Sequence, residues 1–236
     1  METTDLSVII PVYNEQDIIC TVIRDWDNTL SDCVDNYKII VYNDGSKDDT
    51  LNRLQSVAAQ YPNLIIHDKP NSGHGSTILK GYRENIHAEW LFQVDSDNEI
   101  AAALFKDIWS ARAENDFVTG IREHHNRPKI RTLISIISSL IVKLFYKGNL
   151  KDVNVPFRLM KSETFKSIFE QIPDDTFAPN VIVTGCASVK NIPTRQIPIA
   201  STMRETGEVS IKRWKLFKIA ILSLVQTITF RFRLSG

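Results

Sequence analysis

Three carboxylates follow one short apolar run at alternating positions, and they are the residues in this sequence best suited to chemistry. Asp95, Asp97 and Glu99 come directly after residues 90–94, a mostly apolar run that predicts a buried strand. Oxygen ligands just past a strand end can converge on Mg²⁺ or Mn²⁺, which commonly bridges to a substrate phosphate. The pattern predicts a metal–diphosphate site. The alternative is a solvated acidic turn, because Asp-Ser-Asp-Asn is also favourable turn sequence.

A regular alternation of predicted strands and helices positions these carboxylates. Apolar or β-branched runs predict strands at 6–10, 37–42, 64–67, 90–94 and 116–119, the first stopped by Pro11. Helical spacing of apolar residues predicts helices between them at 15–30, 47–60 and 101–113. A further helix is predicted to follow the loop at residues 71–76 and to end at Tyr82. Repeated strand–helix units predict an α/β fold with a mostly parallel sheet flanked by helices. Ligands bind such sheets beyond the carboxyl ends of the strands.

Further polar segments lie at the same strand ends. Residues 11–15 and 43–46 each follow a predicted strand, so the topology should bring them to Asp95. Asp44 can accept hydrogen bonds from a base or from ribose hydroxyls, although a turn or N-cap aspartate is the alternative. Gly73 permits close approach of a ligand to the backbone, but neither the dinucleotide fingerprint nor the Walker pattern is present.

The second half of the chain departs from this alternation. Its predicted elements are a strand at 153–160, a helix at 162–170 capped by Ser162, a helix at 177–189 with Pro179 in its first turn, and an edge strand at 192–199. We expect one α/β domain over residues 1–210, with an amphipathic helix at about 129–147 inserted. Residues 211–236 are expected to form a basic and apolar helix that associates with a membrane or mediates dimerisation.

Two segments of this half are unusually apolar. In the first, eight apolar residues at helical spacing oppose Ser135, Ser138, Ser139 and Lys143, which predicts a strongly amphipathic helix. The eight are Leu133, Ile134, Ile136, Ile137, Leu140, Ile141, Leu144 and Phe145. The second, residues 216–232, is apolar almost all round and has basic residues at both ends. Such helices suit an anionic membrane surface, and the alternative is that they pack on each other or in a homodimer.

Charge and composition narrow the classes of partner and the compartment. The 28 basic and 28 acidic residues give a net charge of zero, so nothing global indicates a nucleic-acid partner. Three cysteines without metal spacing predict reduced thiols, and we expect no signal peptide and no classical transmembrane span. The expected location is cytoplasmic, peripheral at the inner face of the membrane.

Arg122, Arg131 and Arg204 are candidate phosphate ligands, with an ordinary solvated face as the alternative.

Three motifs, in this order and spacing, resemble the inverting GT-A glycosyltransferases of family 2. They are residues 8–15 (Val-Ile-Ile-Pro-Val-Tyr-Asn-Glu), 43–50 (Asn-Asp-Gly-Ser-Lys-Asp-Asp-Thr) and 94–97 (Val-Asp-Ser-Asp). The later part is similar to the dolichyl- and polyprenyl-phosphate sugar synthase branch. Residues 152–159 resemble its Asp-x-x-Ser-Gly-Phe-Arg-x-Tyr stretch, and residues 204–210 resemble its Arg-x-x-Gly-x-Ser stretch.

The resemblance implies a GT-A, Rossmann-like fold and inverting transfer of a sugar from a UDP- or GDP-sugar to a polyprenyl (undecaprenyl or dolichyl) phosphate, with Mg²⁺ or Mn²⁺. It implies nucleotide contacts for Pro11, Tyr13, Glu15 and Asp44, with Gly73 and Ser96 beside the donor. It implies metal and diphosphate binding by Asp95, Asp97 and Glu99, and phosphate binding by Arg122, Arg131 and Arg204. Asn43, Asn154-Val155-Pro156 and Asn180 depart from the family's pattern.

Two other functions stay open at this stage. A related family 2 enzyme that extends a lipid-linked or surface glycan at a sugar hydroxyl would need a general base. Asp152 is the best candidate for that base, and Asp174 or Asp175 comes next; beside a phosphate acceptor, Asp152 would instead orient an arginine. The second alternative is not an enzyme: it is an inactive sugar-nucleotide-binding scaffold at the membrane.

Overall fold

The seven strands that the structure describes form one sheet. The computed structural model describes residues 4–122, 129–201 and 213–234, and the side chains of residues 129–131 and 213–219 lie outside that description. The strands are β1 (Leu6–Val12), β2 (Tyr37–Asp44), β3 (Leu64–Lys69), β4 (Trp90–Val94), β5 (Phe117–Arg122), β6 (Phe157–Lys161) and β7 (Thr194–Ile199). Their order across the sheet is β3-β2-β1-β4-β6-β5-β7. Most neighbours pair in parallel, and β6 alone among these strands runs antiparallel to both of its neighbours.

Helices cover both faces of this sheet, as the strand–helix alternation predicted. They are α1 (Ile19–Ser31), α2 (Thr50–Val57), α3 (His74–Glu84), α4 (Phe105–Ser110), α5 (Lys129–Tyr146), α6 (Ser162–Gln171), α7 (Pro179–Val189) and α8 (Arg213–Arg233). One apolar layer forms around Trp26 of α1, Phe92 of β4 and Phe105 of α4. The other forms around Tyr82 of α3 and Phe165 and Phe169 of α6. The α/β architecture with a mostly parallel sheet is confirmed.

Pro11 does not stop the first strand, so the predicted end at residue 10 is wrong. Proline has no N–H to donate to a ladder, which normally confines it to strand ends or edges. Here β1 continues to Val12 and pairs with β2 along its whole length, whereas its ladder with β4 ends at Ile9. A hydrogen bond from position 11 toward β4 is therefore not needed.

Several other predicted boundaries need correction. The first two helices begin at Ile19 and Thr50, because residues 14–16 and 46–50 form turns that hydrogen-bond to each other. The helix predicted at 101–113 is a short α4 with a 3₁₀ turn on each side, and the strand predicted at 153–160 begins only at Phe157. Ser162 is not a cap, since its buried hydroxyl has no partner in the part of the chain that the structure describes. The helix predicted at 177–189 begins two residues later, and Pro179 lies in its first turn, as predicted.

The amphipathic helix α5 presents its serine side to the protein and an apolar stripe to the outside. Ser138, Val142 and Tyr146 are buried. Leu133, Ile136, Leu140 and Leu144, here called the outer stripe, are each between 51% and 65% exposed. The stripe is what a helix would present to a membrane or to another protein, because isolated apolar side chains are common on surfaces but contiguous ones are not.

The helix α8 packs against α5, so the two apolar segments do meet. The hydroxyl of Tyr146 donates to the carbonyl of Thr227 (2.6 Å), and Nε of Arg231 donates to the carbonyl of Phe145 (2.9 Å). The outer face of α8 still exposes Ile221, Leu222, Val225 and Phe232. None of the described helices combines the length and apolarity needed to cross a membrane. The predicted boundary near residue 210 lies outside the described residues and stays a prediction.

Candidate active site

The first two predicted loops are joined by hydrogen bonds at the carboxyl edge of the sheet. The backbone N–H of Asn14 donates to Oγ of Ser46 (3.0 Å), and that of Glu15 donates to Oγ1 of Thr50 (2.9 Å). Asn14 adopts a φ of 56°, in the left-handed region that asparagine tolerates better than most residues. Pro11 and Glu15 are buried and Tyr13 is half-buried beside them. Hydrogen bonds thus join residues 11–15 and 43–50 into one corner of the site.

Asp44 holds the glycine-bearing loop that leads into α3. Its buried carboxylate accepts hydrogen bonds from the backbone N–H groups of Ser72 (2.8 Å) and Gly73 (3.0 Å), and it pairs with Lys69. Gly73 has a φ of 90°, which L side chains rarely adopt, so this position favours glycine. The observed partners of Asp44 lie within the protein, and its predicted contact with a nucleotide stays a prediction.

Asp95 is the enclosed carboxylate of the site. Its Oδ1 accepts a hydrogen bond from Nε2 of Gln93 (3.0 Å), and Nε2 of His74 lies 3.6 Å from the same oxygen. Only 28% of its side chain is exposed. Loss of water raises the pKa of Asp95 to about 6; His74 lowers it, and the neighbouring charge of Asp97 raises it further. The site therefore destabilises the ionised form of Asp95, and a cation bound beside this carboxylate would relieve that cost.

The three predicted metal ligands do not form a ready-made cage. Within the described ranges, no group of three or more carboxylate, histidine or cysteine side chains is arranged to hold a metal ion. Oδ1 of Asp97 accepts the backbone N–H of Glu99 (3.1 Å), and Ser96 is buried in the same turn. Mg²⁺ is usually bound by one or two carboxylates together with substrate phosphates, so Asp95 and Asp97 fit a metal that arrives with a diphosphate.

Arg122 and Asp152 form a buried, bidentate ion pair. Nε and Nη2 of Arg122 each donate to a different oxygen of Asp152 at 2.7 Å, and the backbone N–H of Arg122 also donates to Oδ2 (3.2 Å). Ser135 of α5 adds a longer hydrogen bond to Oδ1 (3.3 Å). Burial by itself lowers the pKa of Arg122, but the hydrogen bonds and charge of Asp152 outweigh it and raise that pKa. Asp152 therefore fixes a permanently charged guanidinium.

One cavity of about 240 Å³ brings Asp95 and Arg122 together. Ser135 and Ser138 of α5 line its wall, so the serine side of the amphipathic helix faces the site. The full lining is His74, Ile78, Asp95, Arg122, Ile134, Ser135, Ser138, Asn154, Pro156, Phe177, Ala178, Pro179 and Asn180. Asp174 pairs with Arg83 on the surface, and neither it nor Asp175 lines this cavity. Of the predicted arginines, Arg204 and the side chain of Arg131 lie outside the described residues.

Several residues that line the cavity or contact its lining were missed by the sequence analysis. His74, Ser135 and Ser138 carry no motif, although a serine face opposite an apolar stripe was visible. Gln93 had a usable signal: it lies two residues before Asp95 in a buried strand, and such residues share one face. Asn180 was noted only as a departure from the family's pattern, and it lines the cavity.

Several known proteins are similar to this chain in sequence. A family model described as Glycosyl transferase family 2 matches residues 7–169. The chain is 25% identical to the dolichyl-phosphate beta-glucosyltransferase of Dictyostelium discoideum over 97% of this chain and 74% of that protein. It is 24% identical to the undecaprenyl-phosphate mannosyltransferase of Micrococcus luteus over 88% of this chain and 93% of that protein. Against the dolichol-phosphate mannosyltransferase of Pyrococcus furiosus it is 24% identical, covering 90% of this chain but 61% of that protein.

Solved structures show the same fold at low sequence identity. Glucosyl-3-phosphoglycerate synthase from Mycobacterium tuberculosis superposes with a TM-score of 0.71 at 13% identity, over 97% of this chain and 78% of that chain. Mannosyl-3-phosphoglycerate synthase from Rubrobacter xylanophilus gives a TM-score of 0.66 at 16% identity, over 99% of this chain and 75% of that chain. The fold is therefore GT-A-like. With its family match over most of the chain and a carboxylate at the end of the central strand, this chain belongs to glycosyl transferase family 2 and is a glycosyltransferase.

Proposed function

We propose that this enzyme transfers a sugar, with inversion, from a nucleotide-sugar donor to a polyprenyl phosphate. The observation that carries the proposal is the cavity in which a carboxylate suited to a metal–diphosphate and a fixed guanidinium suited to a second phosphate line the same space. The names of the relatives, which are dolichyl- and undecaprenyl-phosphate sugar transferases, support the same acceptor class.

On the donor side, the joined corner of residues 11–15 and 43–50 would hold the nucleotide. Asp95 and Asp97 would bind Mg²⁺ or Mn²⁺, which supplies Lewis-acid stabilisation of the leaving nucleoside diphosphate. Their position just past β4 suits this, because ligands of parallel sheets bind beyond strand ends. Asp95, held by Gln93, would orient the metal–diphosphate end of the donor.

On the acceptor side, the site would position a phosphate rather than deprotonate it. A phosphate monoester has a second pKa near 6 and is already anionic at pH 7. One of its oxygens attacks the anomeric carbon as the bond from that carbon to the nucleoside diphosphate breaks, which inverts the configuration. Both oxygens of Asp152 are engaged by Arg122, an arrangement that suits an arginine positioner better than a free general base. The hydroxyl-acceptor alternative would therefore need a base other than Asp152.

The outer stripe would place the cavity at the membrane surface where a polyprenyl acceptor resides. Ile134 and Ser135 line the cavity while Leu133 and Ile136, next to them on α5, face outward. The exposed apolar residues of α8 would extend this surface. We infer a cytoplasmic enzyme that lies peripherally on the inner face of the membrane, with homodimerisation through the same surface as the alternative.

The first test is a binding titration of the purified protein. UDP- and GDP-sugars are titrated with Mn²⁺, with Mg²⁺ and with EDTA, and slow hydrolysis of the donor is followed in parallel. We expect metal-dependent binding of one nucleotide class, because the diphosphate completes the coordination that two carboxylates begin. Absence of binding to every nucleotide sugar would overturn the proposal, whereas binding without metal-dependent turnover would support the inactive scaffold.

The chemical nature of the product separates the two acceptor classes. With short-chain polyprenyl phosphate as the acceptor, we expect a glycosyl phosphate that mild acid cleaves back to sugar and lipid phosphate. With a lipid-linked sugar as the acceptor in a parallel assay, a product that resists mild acid and contains a glycosidic bond between sugars would instead support transfer to a hydroxyl. The two products differ in mass and in the phosphorus resonance of the lipid.

Polar substitution of the outer stripe should weaken membrane binding without changing the cavity. We expect Ile136→Glu with Leu140→Glu to lower the partition onto anionic vesicles on the order of 100-fold, given the free energy of burying two such side chains. Cosedimentation with vesicles measures this. The matched control is Ile65→Glu, an exposed apolar residue on the edge strand β3. Unchanged vesicle binding, with a shift from dimer to monomer, would favour the homodimer.

A further inference from the structure

A chain of buried side-chain hydrogen bonds runs from α3 through α7 and β4 to Asp95. The hydroxyl of Tyr82 donates to Oδ1 of Asn180 (2.7 Å), and Nδ2 of Asn180 donates to Oε1 of Gln93 (2.9 Å). Nε2 of Gln93 then donates to Oδ1 of Asp95 (3.0 Å). Tyr82, Asn180 and Gln93 are each at most 3% exposed. This series of hydrogen bonds joins three elements of the fold to one carboxylate.

The direction of this chain is set by chemistry at its Asp95 end. An ionised carboxylate accepts hydrogen bonds and donates none, so Gln93 must present its N–H₂ group to Asp95. The carbonyl oxygen of Gln93 must then accept from the N–H₂ group of Asn180, whose own oxygen is left facing Tyr82. A phenol donates readily to such an oxygen, and burial raises the pKa of Tyr82, which keeps its proton in place.

The backbone around Asn180 is also fixed, so its side chain has little freedom to adapt. The carbonyl of Asn180 accepts hydrogen bonds from Nη1 of Arg158 (3.0 Å) and from Oγ1 of Thr184 (2.8 Å). Arg158 is itself buried and lies opposite Gln93 in the antiparallel register of β4 and β6. Only rotation of the amide groups can therefore accommodate a change of donor and acceptor within the chain.

We propose that Tyr82, Asn180 and Gln93 form a directional hydrogen-bond relay that holds Asp95 in the orientation needed to bind the metal–diphosphate of the donor. They are positioning residues, since none of the three is assigned a contact with the reacting atoms. The inference rests on the proposed function, because it takes Asp95 as a ligand of the metal. Partners of metal ligands behave this way elsewhere: removing them costs about 10- to 100-fold in metal affinity.

Asn180→Asp is the sharpest variant because it replaces one N–H₂ donor by an acceptor at nearly constant size, and the double variant with Gln93→Leu separates the effect of its added charge from that of the relay. The new carboxylate accepts from both Tyr82 and Gln93, which turns the Gln93 amide over and points its oxygen at Asp95. We expect the affinity for Mn²⁺ in the presence of UDP or GDP to fall about 10- to 100-fold. The fraction of free Mn²⁺ in the electron paramagnetic resonance spectrum measures it without reference to turnover.

Gln93→Leu tests whether the effect passes through the relay. It should weaken Mn²⁺–nucleotide binding by a similar factor, and Asn180→Asp should then cause no further loss in the double variant, because coupled residues are not additive. The control is Asn115→Asp, which removes a comparable N–H donor from the carbonyl of Ala111 in a turn remote from the site. Thermal unfolding identifies any variant that fails to fold. In that case Tyr82→Phe, which removes only the hydroxyl oxygen, is used in place of that variant.

The outcomes separate failure of the relay from failure of the proposed function. If the unmodified protein binds no metal–nucleotide complex, the proposed function fails. If it binds one, and folded Asn180→Asp binds it equally well, the relay is overturned while the function stands. Fully additive losses in the double variant would also overturn the relay, since they would show two independent structural effects.

Discussion

Replacing Asp95 with asparagine is expected to lower metal-dependent sugar transfer by at least about 10³-fold, since Lewis-acid stabilisation by a bound metal supplies several kcal/mol. Asparagine keeps an oxygen that accepts from Gln93, so the local hydrogen bond survives and only the charge is lost. Asp97→Asn is expected to act in the same direction. Initial rates with saturating donor, together with Mn²⁺ affinity, measure both variants.

The same substitution should make the protein more stable at neutral pH. The pKa of Asp95 is raised from 3.8 to about 6 in the folded protein, so the folded state binds its proton more tightly than the unfolded chain does. Stability associated with this group is therefore fully present below pH 3.8 and is lost as the pH rises toward about 6. Asp95→Asn removes that loss, and its melting temperature at pH 7.5 in EDTA should exceed that of the unmodified protein.

The control for Asp95 is Asp35→Asn, an exposed aspartate just before β2, at the opposite edge of the parallel strands. It should change neither transfer nor melting temperature. A fully active Asp95→Asn enzyme would show that the carboxylate is not a metal ligand. An inactive variant that melts lower than the unmodified protein would instead point to a structural role.

Breaking the Arg122–Asp152 pair is expected to be the most damaging single change to stability in the site. Asp152→Asn leaves a buried guanidinium without its counter-ion, which costs about 3–5 kcal/mol in comparable buried pairs. Asp152 has a φ of 44°, and asparagine tolerates that conformation, so the backbone adds little strain. Urea unfolding followed by circular dichroism measures the loss of free energy of unfolding.

The kinetic effect of Asp152→Asn distinguishes the two roles considered for this residue. If Asp152 positions Arg122, the KM for lipid phosphate should rise because the guanidinium is no longer held. If Asp152 were a general base for a hydroxyl acceptor, kcat would fall by roughly 10²- to 10⁴-fold with lipid-phosphate binding intact. The control is Asp32→Asn, which breaks the exposed pair with Lys106 and is expected to leave stability nearly unchanged.

The strand–helix order and the strand-end motifs were predictable because their signals are local. The period of apolar residues marks helices and strands, and parallel strands must present their carboxyl ends at one edge. The shared strand-end position of Asp95, residues 11–15 and residues 43–46 follows from those two facts. Pro11 was misjudged for a related reason, since whether a proline disrupts a strand depends on which neighbour requires its N–H.

Only the tertiary structure shows which face of α5 points toward the protein. Its sequence shows an amphipathic helix in either orientation, and the eight apolar residues suggest a core-facing stripe as readily as an outer one. Contact with α7 and α8 buries Val142 and Tyr146 and leaves Leu133 and Leu144 outside. The serine face consequently lines the cavity, which no periodicity argument shows.

By itself, the sequence determined the fold class, the family and the central carboxylates, because these depend on residue types at short spacings. Only the tertiary structure decided which groups act on those carboxylates. Tyr82 and Asn180 are 98 residues apart, Asn180 and Gln93 are 87 apart, and Arg122 and Asp152 are 30 apart. Such pairs carry no local signature, since a buried polar group finds its hydrogen-bond partner wherever the packed chain brings one within reach.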